Sequence, residues 1–256
     1  MKEFKGDVIY QPKGKAREYA EFACNLFEGC PNQCTYCYAP GSLRLKRSEF
    51  KSAATPRRDI VERVYADAMK LAAWAGIGSP EVMFCFTCDP FPTAELIRSV
   101  TCPAIDALAG NGLSVATLTK RPMLALDNAE MFLEAARVNF GVTLTTTLTT
   151  AALKYEPHAE LPRTRIAALS EAKRAMGLRT FVSLEPVMDE AQALHVIEAV
   201  VGLADEIRIG PINHDAAAFA RVDWKQFYAD AVALCARLGV KMVAKKALLK
   251  AAGVPC

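Results

Sequence analysis

Short apolar runs alternate along the chain with longer stretches whose apolar positions recur at helical spacing. Tyr19 to Leu26 reads as a short strand. Ile60, Val64, Ala68, Leu71 and Ala75 then mark one face of a helix over Ile60–Trp74, and Gly76 with Gly78 supplies a stop. Val82–Phe86 is a buried strand candidate, followed by a helix over about Glu95–Ala109 that breaks or restarts near Pro103. The alternation continues with strand Ser114–Leu118, a helical face of Leu126, Ala129, Leu133 and Ala136, strand Asn139–Thr145, helix Arg163–Met176, strand Arg179–Leu184, helix Glu190–Val200 and strand Glu206–Ile209. Phe227, Ala231, Leu234 and Leu238 form a last long face, before a seventh strand candidate, Val240–Ala244, and a short C-terminal helix. Between the first strand and the first helix, Leu43–Arg58 is basic and linker-like.

Apolar strands separated by helices predict an α/β fold with a parallel sheet covered by helices. Periodicity fits a doubly wound sheet and a barrel equally. Strand ends favour the barrel: Thr87-Cys88-Asp89-Pro90, Thr119-Lys120-Arg121, Thr145-Thr146-Thr147, Glu185-Pro186 and Gly210-Pro211-Ile212-Asn213 all follow strands directly. Polar clusters at so many carboxyl edges suit a barrel mouth. No glycine-rich dinucleotide fingerprint follows the first strand, and no GxxxxGK[ST] occurs.

With 256 residues, one large domain is the default, and 52% hydrophobic with 23% charged residues exclude disorder and a fibrous repeat. The start, Met1-Lys2-Glu3-Phe4-Lys5, lacks the apolar run of a signal peptide, and no stretch of 18 apolar residues offers a membrane span. A cytoplasmic protein without membrane partners is expected. A net charge of +3 permits an anionic partner but is no nucleic-acid signature.

Nine cysteines are many for a reducing compartment, which disfavours disulfides. Cys24, Cys30, Cys34 and Cys37 crowd one segment; Cys85, Cys88 and Cys102 form a looser group. Cys30-Pro-Asn-Gln-Cys34-Thr-Tyr-Cys37 places three thiols where they can converge on one soft metal centre. Zinc is one reading, with Cys24 as the fourth ligand of a closed structural site in a non-enzymatic binding module. Buried free thiols are another. An iron–sulfur centre is favoured, because three thiolates on a cubane leave one iron open.

This CxxxCxφC motif, with Tyr36 as the aromatic, resembles that of the radical S-adenosylmethionine enzymes. The surrounding Asn25–Ala39 segment, Asp89-Pro90 with Glu95, Leu118-Thr119-Lys120, Val142–Thr146, Glu156-Pro157 with Arg165, and Glu185-Pro186 resemble the spore photoproduct lyase-like branch over about residues 20–215. The resemblance implies a partial (β/α)6 TIM-type barrel, with residues from about 216 to 256 as a short α/β extension of a single domain. It further implies a [4Fe-4S] cluster on Cys30, Cys34 and Cys37, S-adenosyl-L-methionine chelating the open iron, and a reducing electron donor such as flavodoxin or ferredoxin. The expected reaction is generation of a 5′-deoxyadenosyl radical that abstracts hydrogen from a substrate.

The same pattern suggests Lys120 for the methionine carboxylate, with Glu156 and Arg165 paired nearby; a surface or helix-capping lysine and a helix-start ion pair are the plainer readings. Thr143 and Thr145 share one face of a strand and can aim hydroxyls at the ribose or pack inward. Asp89 either accepts from the cofactor's amino group or orients its loop. Glu185 contacts ribose or substrate, or pairs with Lys120 or Arg208, while Tyr36 offers its backbone to adenine. Cys88 adjoins the mouth as a hydrogen-returning thiol or a small buried side chain; the spore photoproduct lyase donor cysteine sits in different surroundings, so its role does not transfer.

His158, His195 and His214 lack ligand spacing; His214 is placed to reach substrate or to lie in a solvated loop. Arg44, Lys46, Arg47, Lys51, Arg57 and Arg58, with Lys241, Lys245, Lys246 and Lys250, allow a phosphate-bearing substrate. A nucleic-acid lesion is the branch-level substrate, with peptide or small-molecule modification as the alternative. Transfer of a methyl or aminocarboxypropyl group is a third chemistry.

Overall fold

A computed structural model describes residues 3–213 and 215–255. Among the described residues ten strands are formed: β1 Ile9–Tyr10, β2 Phe22–Cys24, β3 Phe27–Glu28, β4 Thr55–Pro56, β5 Glu81–Phe84, β6 Ser114–Thr119, β7 Asn139–Thr143, β8 Arg179–Val187, β9 Glu206–Pro211 and β10 Lys241–Ala244. Eight make one sheet in the order β1-β2-β5-β6-β7-β8-β9-β10, and β3 with β4 makes a separate antiparallel pair. From β2 to β10 every pairing is parallel; only β1 lies antiparallel, against β2. The two edges, β1 and β10, do not pair with each other. The fold is therefore α/β with an open, mostly parallel sheet, a partial barrel that does not close.

The predicted helices form at Ile60–Ala75, Pro122–Ala135, Pro162–Arg174, Glu190–Ala199, Trp224–Leu238 and Lys246–Ala252. The interruption expected near Pro103 is a π-helical turn, Ile97–Thr101, after which a regular helix runs over Cys102–Ala109 with the proline in its first turn. Proline has no N–H to give, and the first turn is where none is needed. Alternate strand residues Val82, Phe84, Val115, Phe140, Val142, Val182, Leu184, Ile207 and Ile209 join the helices' Val64, Leu71, Ile105, Leu133, Leu169 and Phe227 in one outer core.

The other face of the sheet carries a small inner cluster, Ala23, Met83, Ala116 and Phe181. Gly141 makes this floor. A side chain there would meet the Phe181 ring at 2.2 Å, so the bare backbone of β7 is what lets the ring lie across the barrel. Above the floor, the strands' carboxyl ends open into a cavity.

Candidate active site

A cavity of about 460 Å³ at the strands' carboxyl ends is lined by Cys30, Cys34, Cys37, Tyr36, Cys88, Asp89, Lys120, Thr143 and Glu185. Of the predicted site residues, these nine share one space. Thr145, Glu156 and Arg165 lie behind its wall and are buried.

The cysteine loop is held by backbone contacts. The Cys30 N–H donates to Lys51 O at 3.0 Å, the Thr35 N–H to Tyr155 O at 2.9 Å and the Cys37 N–H to Cys34 O at 3.1 Å. Arg47 donates to the carbonyls of Cys34 and Cys37, at 2.9 Å each. Gly29 has φ 76°, and a Cβ there would sit 2.3 Å from Ala53 O. The segment that reads as a linker is thus the brace of the loop: its polar backbone and Arg47 are spent on fixing the cysteines rather than on a fold of their own.

Burial pushes the Cys34 thiol up to about 12 and raises Cys37. Cys30 is instead brought down to about 7, chiefly by a hydrogen bond from the Cys88 thiol. Cys24 stands elsewhere. It is fully buried on β2 and belongs to the outer core beside Phe22 and Phe84, on the sheet face turned away from the cavity. This corrects the zinc reading, since Cys24 cannot complete a four-thiolate site with the loop. Among the described residues, no three His, Cys, Asp or Glu side chains are grouped to hold one metal ion. The three thiols suit a centre that offers each its own iron, rather than one ion gripping all its ligands at about 2.3 Å.

Asp89 is a hub. One carboxylate oxygen accepts from the Thr119 hydroxyl at 2.7 Å and the Phe91 N–H at 3.0 Å; the other accepts from Asn32 Nδ2 at 2.8 Å and the Lys120 N–H at 2.9 Å. Asn32 in turn accepts from Arg121 Nε at 2.6 Å. Of the two roles expected for Asp89, the geometry is that of an orienting group, because both oxygens are committed to tying the cysteine loop to the ends of β5 and β6.

Lys120 projects from the end of β6 toward the Tyr36 ring, with Nζ 5.6 Å from its centroid. Burial pulls its ammonium down, but Cys34 and Glu156 outweigh it and the net shift is upward. Behind it Arg165 and Glu156 pair at 2.6 Å, both 1% exposed. The Tyr36 hydroxyl donates to Glu156, and Thr145 donates to the same carboxylate at 3.4 Å. Arg165 also donates to Thr143 O at 3.0 Å and Glu160 O at 2.7 Å. Burial raises the Glu156 carboxyl, but Arg165 and Lys120 hold it below the usual range. So Thr143 faces the cavity, whereas Thr145, beyond the end of β7, serves the buried pair.

The opposite wall was not legible beforehand. Tyr19 donates to Glu185 at 2.7 Å and lies 2.8 Å from the Ser183 hydroxyl. Gly210 on β9 leaves room for this: a Cβ there would meet the Glu185 carboxyl carbon at 2.7 Å. No ion pair forms among the described residues between Glu185 and either Lys120 or Arg208, and Arg208 pairs with Glu206 at 2.7 Å. Lys13, Lys15 and Asn213 complete the rim. His158 contributes its carbonyl to Arg121, His195 sits within the helix Glu190–Ala199, and His214 lies outside the described residues. Asn32, Arg121 and Tyr19 were missed because single polar residues carry no periodic or spacing signal; Asn32, inside the cysteine motif, was the one a closer look could have found.

No family model and no curated relative matches the chain. Solved structures do share the fold. One is spore photoproduct lyase complexed with dinucleoside spore photoproduct, with a TM-score of 0.68 and 14% identity, covering 92% of this chain and 79% of that one. A substituted form of that enzyme with bound AdoMet and dinucleoside spore photoproduct has a TM-score of 0.63 and 16% identity; the match covers 86% of this chain and 64% of its length. Streptococcus suis SuiB bound to S-adenosylmethionine has a TM-score of 0.65 and 10% identity, covering 90% of this chain and 51% of that one. This chain thus spans under two thirds of the substituted lyase and about half of SuiB.

Proposed function

We propose that the chain is a radical S-adenosylmethionine enzyme that binds a [4Fe-4S] cluster through Cys30, Cys34 and Cys37 and abstracts hydrogen from a substrate. The observation that carries this is the meeting of three thiols from one braced loop with Lys120, Tyr36 and Thr143 in a single cavity. The residues fit the group: three soft donors from one loop and a buried cation beside them, with Cys24 turned into the outer core. When bound, the cluster and S-adenosylmethionine supply one-electron cleavage of a carbon–sulfur bond and a carbon radical that takes hydrogen from substrate.

The protein's own work is placement and exclusion. Lys120 offers its ammonium to a carboxylate, and the Arg165–Glu156 pair fixes the backbone of Thr143 and the ring of Tyr36 around it. Asp89 keeps the loops in register. Glu185, held by Tyr19, presents a carboxylate to a hydroxyl or N–H on the far wall. Cys88, whose thiol hydrogen-bonds to Cys30 in this cavity, would be the thiol that returns hydrogen: its S–H bond breaks as the substrate's C–H forms, and one electron from the donor with one proton from solvent restores the S–H.

For substrate we favour a nucleic-acid lesion over a peptide or small molecule, on the basic rim of Lys13 and Lys15. A cavity of about 460 Å³ cannot take duplex, so the reacting unit would be one extruded nucleotide. Among the described residues, no helix is long and apolar enough to cross a membrane. Anaerobic reconstitution should give about four irons per chain, and dithionite with S-adenosylmethionine should release 5′-deoxyadenosine. Cys30→Ala, Cys34→Ala and Cys37→Ala should each abolish the release, while Cys24→Ala should retain iron. Colourless protein containing only zinc would overturn the reading, and methylthioadenosine as product would shift it to group transfer.

A further inference from the structure

The cysteine cavity offers limited room for everything the reaction needs. At about 460 Å³ it lies low in the range of roughly 300–1,000 Å³ that accommodates one drug-sized ligand. On the proposed function, on which this inference rests, cluster and S-adenosylmethionine consume that space. A substrate must arrive through a wall that moves.

One wall is built to do so. Between β1 and β2 the chain leaves the sheet, and residues 13–19 cross the gap between its two unpaired edges. The crossing is a 3₁₀ turn, Gly14–Glu18, without a buried residue. It is held at the far side by side-chain contacts: Lys15 to Asn213, Glu18 to the Lys246 N–H, Tyr19 to Ser183 and Glu185, and Arg208 to the Tyr19 carbonyl at 3.3 Å, with the Tyr19 ring against Phe86. No strand ladder reinforces them. Gly14, at φ 59° with nothing within 4 Å of an added Cβ, gives the turn a free pivot.

Outside this crossing lies a second, open groove whose lining includes Lys15, Arg17, Glu18, Lys246, Lys250 and Phe219. Lys15 and Asn213 line both spaces. Their mutual hydrogen bond is the partition, and breaking it joins groove to cavity. Behind Tyr19, the Lys245 ammonium is 3% exposed, lies 3.2 Å from the ring centroid and has no hydrogen-bond partner. The Tyr19 ring is the ammonium's present partner, and a ring that moved off it would leave Lys245 a place for an acceptor.

We propose that the outer groove is the entry site for the substrate and that residues 13–19 are its gate, latched by Lys15 on Asn213 and by Tyr19 on Glu185. The groove draws in a substrate carrying an anionic group, carboxylate or phosphate, and Lys245 receives that group when Tyr19 swings aside. Four basic side chains against Glu18 on the groove's lining set the sign of the charge it accepts.

The test uses reconstituted protein and reads modification of the peptide bearing Cys85 and Cys88 by neutral iodoacetamide and by dianionic dithiobis(nitrobenzoate). Asn213→Ala should speed both reagents and raise deuterium uptake in residues 13–19, whereas Lys246→Glu with Lys250→Glu should slow only the dianion, by about fivefold. At matched ionic strength, inorganic phosphate or succinate should slow the dianion more than chloride does, the stronger competitor naming the anionic group. Unchanged access and exchange in Asn213→Ala overturn the gate; equal slowing of both reagents, or competition no better than chloride, overturns the anion preference. Neither readout involves 5′-deoxyadenosine, so loss of that activity and loss of the gate are separate results.

Discussion

The two sides of the cavity are built to opposite standards. On the cysteine side, loop, strand ends and helix are joined by the four bonds of Asp89, by Asn32 and Arg121, and by the buried Arg165–Glu156 ion pair. On the seam side, residues 13–19 are tethered by a few side chains and leave Lys245 without a hydrogen bond. Dense satisfaction fixes a geometry; sparse tethering lets a wall open. On the proposed reading, the braced side would hold the cofactor and the tethered side would admit the substrate.

Damage to the braced side should be severe. Arg165→Met strands the Glu156 carboxylate in the interior and should cost about 3–5 kcal/mol, read as a shift of the urea unfolding curve; a loss under 1 kcal/mol would show that the pair is solvated after all. The shared floor comes next. Gly141→Ala drives a methyl into the Phe181 ring and should cost about 1–3 kcal/mol, relieved when Phe181→Leu is added.

The seam's fixed end gives a pH-dependent effect. Asp67 accepts the N–H groups of Asp7, Val8 and Ile9 at 2.6, 2.7 and 3.0 Å, anchoring β1. Burial raises its carboxyl, but these donors outweigh it and the folded value lies below the ordinary 3.8. Its contribution is therefore complete above the ordinary value and disappears as pH falls through the lowered one. Urea midpoints of wild type and Asp67→Asn should differ at pH 6 and draw together as the pH falls below the ordinary 3.8 and through the lowered folded value. Smallest of all, Tyr19→Phe should cost about 1 kcal/mol or less yet raise deuterium uptake across residues 13–19, an effect on the seam without one on the core.

The strand–helix alternation was legible because apolar periodicity reports which face each element buries, and the carboxyl-end polar clusters were legible because they follow strands directly. Cys30, Cys34 and Cys37 announced themselves by spacing. The rest depended on contacts distant in sequence: Asn32 meets Asp89 across 57 residues, and Tyr19 meets Glu185 across 166. Thr145 illustrates the limit. Strand alternation places it beside Thr143, but β7 ends at Thr143 and the later hydroxyl turns to Glu156. The segment 43–58 shows the converse, since residues without periodicity can be the most constrained when they brace a loop.

The central claim is that the braced side leaves one iron of a cubane without a protein ligand. The Mössbauer spectrum of anaerobically reconstituted protein, taken with and without S-adenosylmethionine, tests it most directly. The account predicts one iron distinct from its neighbours whose signal moves when the cofactor is added. Equivalent irons that ignore the cofactor would contradict it.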